Sequence, residues 1–219
     1  MLEIDCITKF KPEYLKKPFW YFFPLCKQPD KLVKYLDDEL TFLKDMTYRS
    51  YSGDSSISTF LVEKNNEKEN KLHVLKIGSL YSPWTRFHLL REKRVLKKLK
   101  DLESITHLEK TYATEHHLAL LKEYQKGELL WRWLRDKDNE SELRKKHHTS
   151  LEKTIKIIHS HGFAGMDIKG DNIIVPLDEN EPPKIIDLGY ARSKYRMLNS
   201  RFKTLQAHDY LHLNELFNY

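Results

Sequence analysis

Near Gly127 the hydrophobic pattern of this chain passes from mostly strand-type to mostly helical spacing, and that change limits the folds it can adopt. Upstream, Thr47 to Ser52, Ile57 to Val62, Leu72 to Ile77, Leu108 to Ala113 and Leu118 to Tyr124 are short runs of strand type. A single helical stretch, Pro83 to Leu102, interrupts them. Pro83 suits its start, and Leu89, Val95, Leu96 and Leu99 form its apolar stripe. Downstream, the spacing is helical as far as His159 and again over the last part of the chain. Between them, Ile173 to Val175 and Lys184 to Ile186 read as two short apolar strands joined by a proline-rich loop. Strands with one helix, then helices with one hairpin, predict an α+β arrangement with two unequal lobes. A cleft between lobes is a natural ligand site, and the hinge is expected at Glu123 to Gly127. Lys11 to Asp45 reads as helical. The expected division is therefore 1–46 as a helical and aromatic extension packed on the first lobe, 47–124 as the strand-rich lobe and 125–219 as the helical lobe.

Composition excludes several classes. The 219 residues carry 40% hydrophobic and 32% charged side chains and a formal net charge of +6, a soluble globular balance with a mild preference for anionic ligands. The two cysteines, Cys6 and Cys26, show no disulfide framework and no metal-ligand spacing. Met1 to Phe10 has no long apolar core, so it does not resemble a signal peptide, and the run Pro18 to Leu25 is too short to span a bilayer. The expectation is a cytoplasmic protein. Membrane-surface association, or secretion without a recognisable signal, are the alternatives. The aromatic cluster within Pro18 to Leu25, flanked by Lys16, Lys17 and Lys27, is read either as packing onto the first lobe or as a peripheral membrane contact. No nucleic-acid partner is expected.

The chemistry concentrates in Gly165-Met166-Asp167-Ile168-Lys169-Gly170-Asp171-Asn172, and in the later Asp187-Leu188-Gly189. Phosphoryl transfer needs a carboxylate to orient or deprotonate a hydroxyl. It also needs oxygen ligands for Mg²⁺ and a cation against the moving phosphate. Asp167, Asn172, Asp187 and Lys169 are that set. Read alone, Asp171-Asn172 is equally a turn and Asp187-Leu188-Gly189 the end of a strand.

The pattern Asp-x-Lys-x-x-Asn followed by Asp-Leu-Gly resembles the catalytic and metal-binding loops of the protein-kinase superfamily, and its Lys-Gly-Asp-Asn portion is most similar to serine/threonine protein kinases. The resemblance implies a two-lobed fold with an antiparallel-sheet N-lobe and a reduced helical C-lobe. It makes Asp167 the base, Lys169 the cation at the transferring phosphate, and Asn172 and Asp187 the ligands of Mg²⁺. By the same resemblance His73-Val74-Leu75-Lys76 carries the lysine that meets the α- and β-phosphates of ATP, and Glu92 pairs with it. The backbone of Glu123, Tyr124 and Gln125 would bind adenine. Leu75 and a residue near Ile57 either line that pocket or pack in the core. Ser52-Gly53-Asp54-Ser55-Ser56 stands where the family has its glycine-rich loop. Gly53, Ser55 and Ser56 either cradle phosphate or form an ordinary hairpin turn.

Two departures shape the expected function. Gly165-Met166 replaces the family's His-Arg, which removes the arginine that pairs with a phosphorylated activation loop. No Ala-Pro-Glu motif follows Gly189, and the sequence given ends at Tyr219. This resembles minimal kinases such as lipopolysaccharide core kinases and compact bacterial effector kinases. Asp209 is read either as a cap on the catalytic-loop backbone or as a helix N-terminal aspartate. The expected activity is a minimal serine/threonine-type protein kinase acting from ATP on a protein hydroxyl. A glycan, lipopolysaccharide or other small-molecule acceptor is the alternative, and a nucleotide-binding scaffold without turnover is the third.

Overall fold

The computed structural model describes residues 29–46, 57–65, 71–115, 117–136 and 141–218. They form two compact units. One holds the described residues up to Leu89 together with Leu108–Tyr124, and the other holds Leu90–His107 and the residues from Gln125 onward.

The first unit is a five-stranded antiparallel sheet. Its strands are β1 (Leu40–Asp45), β2 (Ile57–Lys64), β3 (Lys71–Ser79), β4 (Leu108–Ala113) and β5 (His117–Glu123), in the order β1-β2-β3-β5-β4. Strand alternation divides its side chains between two faces. On one, Phe60, Val62, Leu75 and Leu121 pack with Leu32 and Val33 of helix α1 (Pro29–Leu36). On the other, Leu118 and Leu120 pack with Leu89 of helix α2 (Pro83–Lys98), and Ile57 joins them half-buried. Leu75 is therefore core, on the face opposite its neighbour Lys76. Asp37, just beyond α1, accepts hydrogen bonds from the Tyr112 hydroxyl at 2.6 Å and the Lys110 ammonium at 2.8 Å, and its other carboxylate oxygen accepts the Glu39 amide at 3.1 Å.

Helical spacing was expected through Asp45, but Leu40–Asp45 is a strand. The Asp37 turn ends the helix, and Leu40 and Phe42 then alternate inward, with the Phe42 ring edge-on to Phe60 at 5.6 Å. The expected extension 1–46 thus contributes an edge strand to the sheet. Thr47 to Ser52, the turn at Gly53-Asp54 and the aromatic run Pro18 to Leu25 lie outside the described residues.

The second unit contains the C-terminal half of α2 and the helices α3 (Leu130–Asp136), α4 (Ser141–Ser160) and α5 (Asn199–Phe217). Strand β6 (Gly127–Leu129) pairs with β8 (Ile173–Pro176), which pairs with β9 (Lys184–Ile185). The two-residue strands β7 (Phe163–Ala164) and β10 (Arg192–Ser193) pair with each other. Residues after Gly127 were expected to be helical at once. They begin instead as strand because Gly127 lies against the β8 backbone, where a Cβ would meet the Val175 carbonyl oxygen at 2.2 Å. Met166, Ile168, Ile173, Ile185 and Leu188 are all buried, so the apolar residues between the polar ones anchor both loops in the core. No helix among the described residues is long and apolar enough to cross a membrane.

Candidate active site

The polar run after β7 is held from beneath by one buried carboxylate. Asp209, on α5, accepts the Gly165 amide at 2.8 Å through Oδ2 and the Met166 amide at 2.9 Å through Oδ1. The imidazole Nε2 of His159, on α4, meets Oδ2 at 2.8 Å. Three donors on one carboxylate satisfy backbone groups that the turn would otherwise leave unpaired in the core. Asp209 is thus the cap on this loop, and Met166 points into the core rather than toward solvent.

The loop then places Asp167 at φ 52°, in the left-handed region that aspartate tolerates better than most residues. Its carboxylate Oδ2 lies 3.0 Å from the Lys169 ammonium. The Asn172 side-chain nitrogen donates to the Asp167 carbonyl at 3.0 Å and to Oδ2 at 3.3 Å. Burial alone would lower the Lys169 ammonium, but the adjacent Asp167 carboxylate outweighs it and holds the group above the ordinary lysine range. With the Asn172 amide nitrogen engaged, its Oδ1 is the atom left for a cation.

A 3₁₀ turn, Gly170–Asn172, closes the loop. Gly170 is required by proximity. A Cβ there would lie 2.6 Å from the Trp131 Cβ, 2.8 Å from its backbone nitrogen and 3.0 Å from its Cα. The first turn of α3 therefore packs directly on this loop.

Asp187 follows β9 and is tied to the same loop, since the Ile186 amide donates to the Asn172 carbonyl at 2.9 Å. Asp187 Oδ1 accepts the Gly189 amide at 2.9 Å. The buried Glu92 carboxylate, on α2, approaches that of Asp187 within 4.8 Å. Two carboxylates at that separation supply oxygen ligands of the kind a hard cation such as Mg²⁺ takes.

In the sheet unit, Lys76 is on β3 and buried. Its Nζ lies 3.2 Å from Nε2 of His88, also buried, on α2. An ammonium only donates, so Nε2 is the acceptor and the ring proton is on Nδ1. His88 was not anticipated, although it stands one helical turn before Glu92, a spacing that puts both on one side of α2. Val74, two residues before Lys76, shares its sheet face and is half-buried, whereas Leu75 does not. At the expected hinge, Glu123 ends β5 opposite His73, the Tyr124 amide donates to the Leu72 carbonyl at 3.3 Å, and Gln125 begins the second unit. Gly53, Ser55 and Ser56 lie outside the described residues.

A carboxylate, an amide and a lysine on one loop, with an aspartate on the next, are side chains of the kinds that phosphoryl transfer needs. Comparison with protein families matches residues 55–211 to the protein kinase domain, and the chain belongs to that family. Among curated proteins it is 30% identical over 143 residues to serine/threonine-protein kinase MAK of Rattus norvegicus, which covers 64% of this chain and 22% of that protein. The MAK protein of Homo sapiens gives the same figures. Identity to the cGMP-dependent protein kinase, isozyme 2 forms cD5/T2, of Drosophila melanogaster is 23% over 160 residues, 73% of this chain and 17% of that protein. The chain spans less than a quarter of the length of these relatives.

Proposed function

We propose that this chain transfers the γ-phosphate of ATP to a serine or threonine hydroxyl of a protein. The observation that carries the reading is the Asp167, Lys169 and Asn172 constellation on a loop capped by Asp209. In this reading Asp167 accepts the proton of the acceptor hydroxyl as its oxygen bonds to the γ-phosphorus and the bond to the departing ADP oxygen breaks. Lys169, already beside Asp167, neutralises charge on the transferring group. Asn172 and Asp187 would hold Mg²⁺, which when bound neutralises the phosphate oxygens. Lys76 would meet the α- and β-phosphates, with Glu92 as its ion-pair partner and His88 steadying its ammonium. Gly53, Ser55 and Ser56 would lie over the phosphates, and Glu123, Tyr124 and Gln125 would receive adenine.

The experiment is incubation of the purified chain with γ-labelled ATP and Mg²⁺, in parallel with dephosphorylated casein and with bacterial glycolipid. Label on serine or threonine of casein, lost in Asp167→Ala, is the expected result. Label entering only the glycolipid would replace the protein acceptor with a sugar. No transfer to either, with ATP still bound, would point to a scaffold.

A further inference from the structure

Helix α5 carries two imidazoles that have no polar partner among the described residues. His208 is exposed and His212 half-buried, one helical turn further on. Their ring centres lie 6.1 Å apart with the planes tilted by 45°. Residues four apart on a helix stand one above the other on the same face, with Cβ atoms about 5–6 Å apart. Other imidazoles of the protein have a ring nitrogen engaged. His88 meets the Lys76 ammonium, His148 the Asn214 side chain, His159 the Asp209 carboxylate and His161 the Ile157 carbonyl. His208 and His212 keep all four of their ring nitrogens for something outside the described residues, and the ring contact of each is with the other.

We propose that His208 and His212 together chelate a borderline first-row divalent cation, Zn²⁺ being the representative, with water completing its shell. Two histidines four apart on a helix direct one nitrogen each to a common point above the turn, the arrangement from which helical zinc sites are built. Zn–N bonds of about 2.0–2.1 Å bring the two ring centres to about 5 Å, so the pair has to close by about 1 Å. Rotation of two side chains on a helix surface supplies that much. Imidazole suits zinc, nickel and copper, whereas Mg²⁺ takes oxygen ligands. The site is therefore chemically separate from the carboxylates of Glu92 and Asp187. Its place in the fold gives it a consequence. The turn between the two histidines carries Asp209, whose carboxylate holds the Gly165 and Met166 amides. A cation that ties residue 208 to residue 212 stiffens the helical turn on which the loop of Asp167 rests. The site does not depend on the kinase reading.

The test uses no ATP. The full chain, without an affinity tag, is stripped of metal with a chelator, returned to millimolar Mg²⁺ so that oxygen-ligand sites are filled, and titrated with ZnCl₂ in a calorimeter. Zinc affinity at this site should fall about tenfold or more in His208→Gln and in His212→Gln, since losing even an outer-shell partner of a metal ligand commonly costs that much. Zinc held elsewhere is common to all variants and cancels in the comparison. The double variant Ala207→His/His208→Ala keeps the number of histidines but turns one imidazole about 140° around the helix from His212, and it should lose the same binding. Without zinc these variants should melt close to the wild type, because positions 207 and 208 are exposed and 212 only half-buried. Zinc should then raise the melting temperature of the wild type and do so less in each variant. Equal zinc affinity in the wild type and both single variants would overturn the site, as would full binding in the double variant. Zinc-dependent dimers in sedimentation that vanish in His208→Gln would overturn chelation within one chain.

Discussion

Asp209 Oδ1 accepts the backbone amide of Met166, the residue immediately before Asp167, at 2.9 Å. A side chain on the last helix thereby sets the backbone of the catalytic loop. Asp209→Asn keeps the shape but turns one acceptor into a donor, which leaves Gly165, Met166 or His159 without its bond. The expected cost is about 1–3 kcal/mol of stability, with turnover reduced more than nucleotide affinity. Urea unfolding and ATP binding measured on the same preparation check this. Unchanged stability would remove Asp209 from its structural role.

Asp167→Ala should lower turnover by about 100- to 10,000-fold, the usual range for a lost general base. Nucleotide binding should survive. Asp187→Ala should abolish turnover and also weaken nucleotide binding in Mg²⁺, because its carboxylate belongs to the acidic locus shared with Glu92. Turnover in Asp167→Ala equal to the wild type would sink the assignment of the base.

Lys76 is buried, and removing one member of a buried ion pair leaves the other charge uncompensated. Lys76→Met should therefore cost about 3–5 kcal/mol of stability and remove most activity even at a temperature where the variant is fully folded. His88→Leu, which deletes the acceptor 3.2 Å from the ammonium, should raise the ATP concentration needed for half-maximal rate. Steady-state kinetics beside thermal melts distinguish the two effects, and a Lys76→Met protein with full activity would refute the reading.

The Asp37 network predicts a pH signature in the sheet unit. Burial alone would raise the Asp37 carboxyl, but the bonds from Lys110, Tyr112 and the Glu39 amide prevail and hold it below the usual carboxylate range. A carboxyl whose folded value lies below its unfolded value of about 3.9 stabilises the fold above that pH. The contribution is lost as pH falls through the folded value. Asp37→Asn should be less stable than wild type by about 1–3 kcal/mol at neutral pH. The gap should close below about pH 3.9. A gap that stays constant down to acid pH would show that Asp37 titrates as an ordinary carboxylate.

The legibility of these features in the sequence follows from how local they are. The loop of Asp167 and the Asp187 loop are short runs whose polar groups and apolar anchors alternate, so the sequence offered Asp167, Asn172 and Asp187 as candidates through their resemblance to the family's motifs. The period change at Gly127 likewise marked the passage from a sheet unit to a helical one. Leu40–Asp45 was missed because its strand character depends on pairing with β2, and Gly127–Leu129 because its partner β8 lies far along the chain. Asp209 remained ambiguous until its three donors were placed around it. His88 has no motif at all. It emerges only when α2 is set beside β3.

The crowding at Gly170 has an asymmetric evolutionary consequence. The atoms that exclude a Cβ there are the backbone nitrogen, the Cα and the Cβ of Trp131, which almost any residue at position 131 would possess. No second substitution at 131 opens room for a larger residue at 170, because even glycine keeps the backbone nitrogen 2.8 Å from a Cβ there. Position 131 is free to drift in a lineage without releasing its neighbour, while position 170 is held to one letter until α3 itself moves.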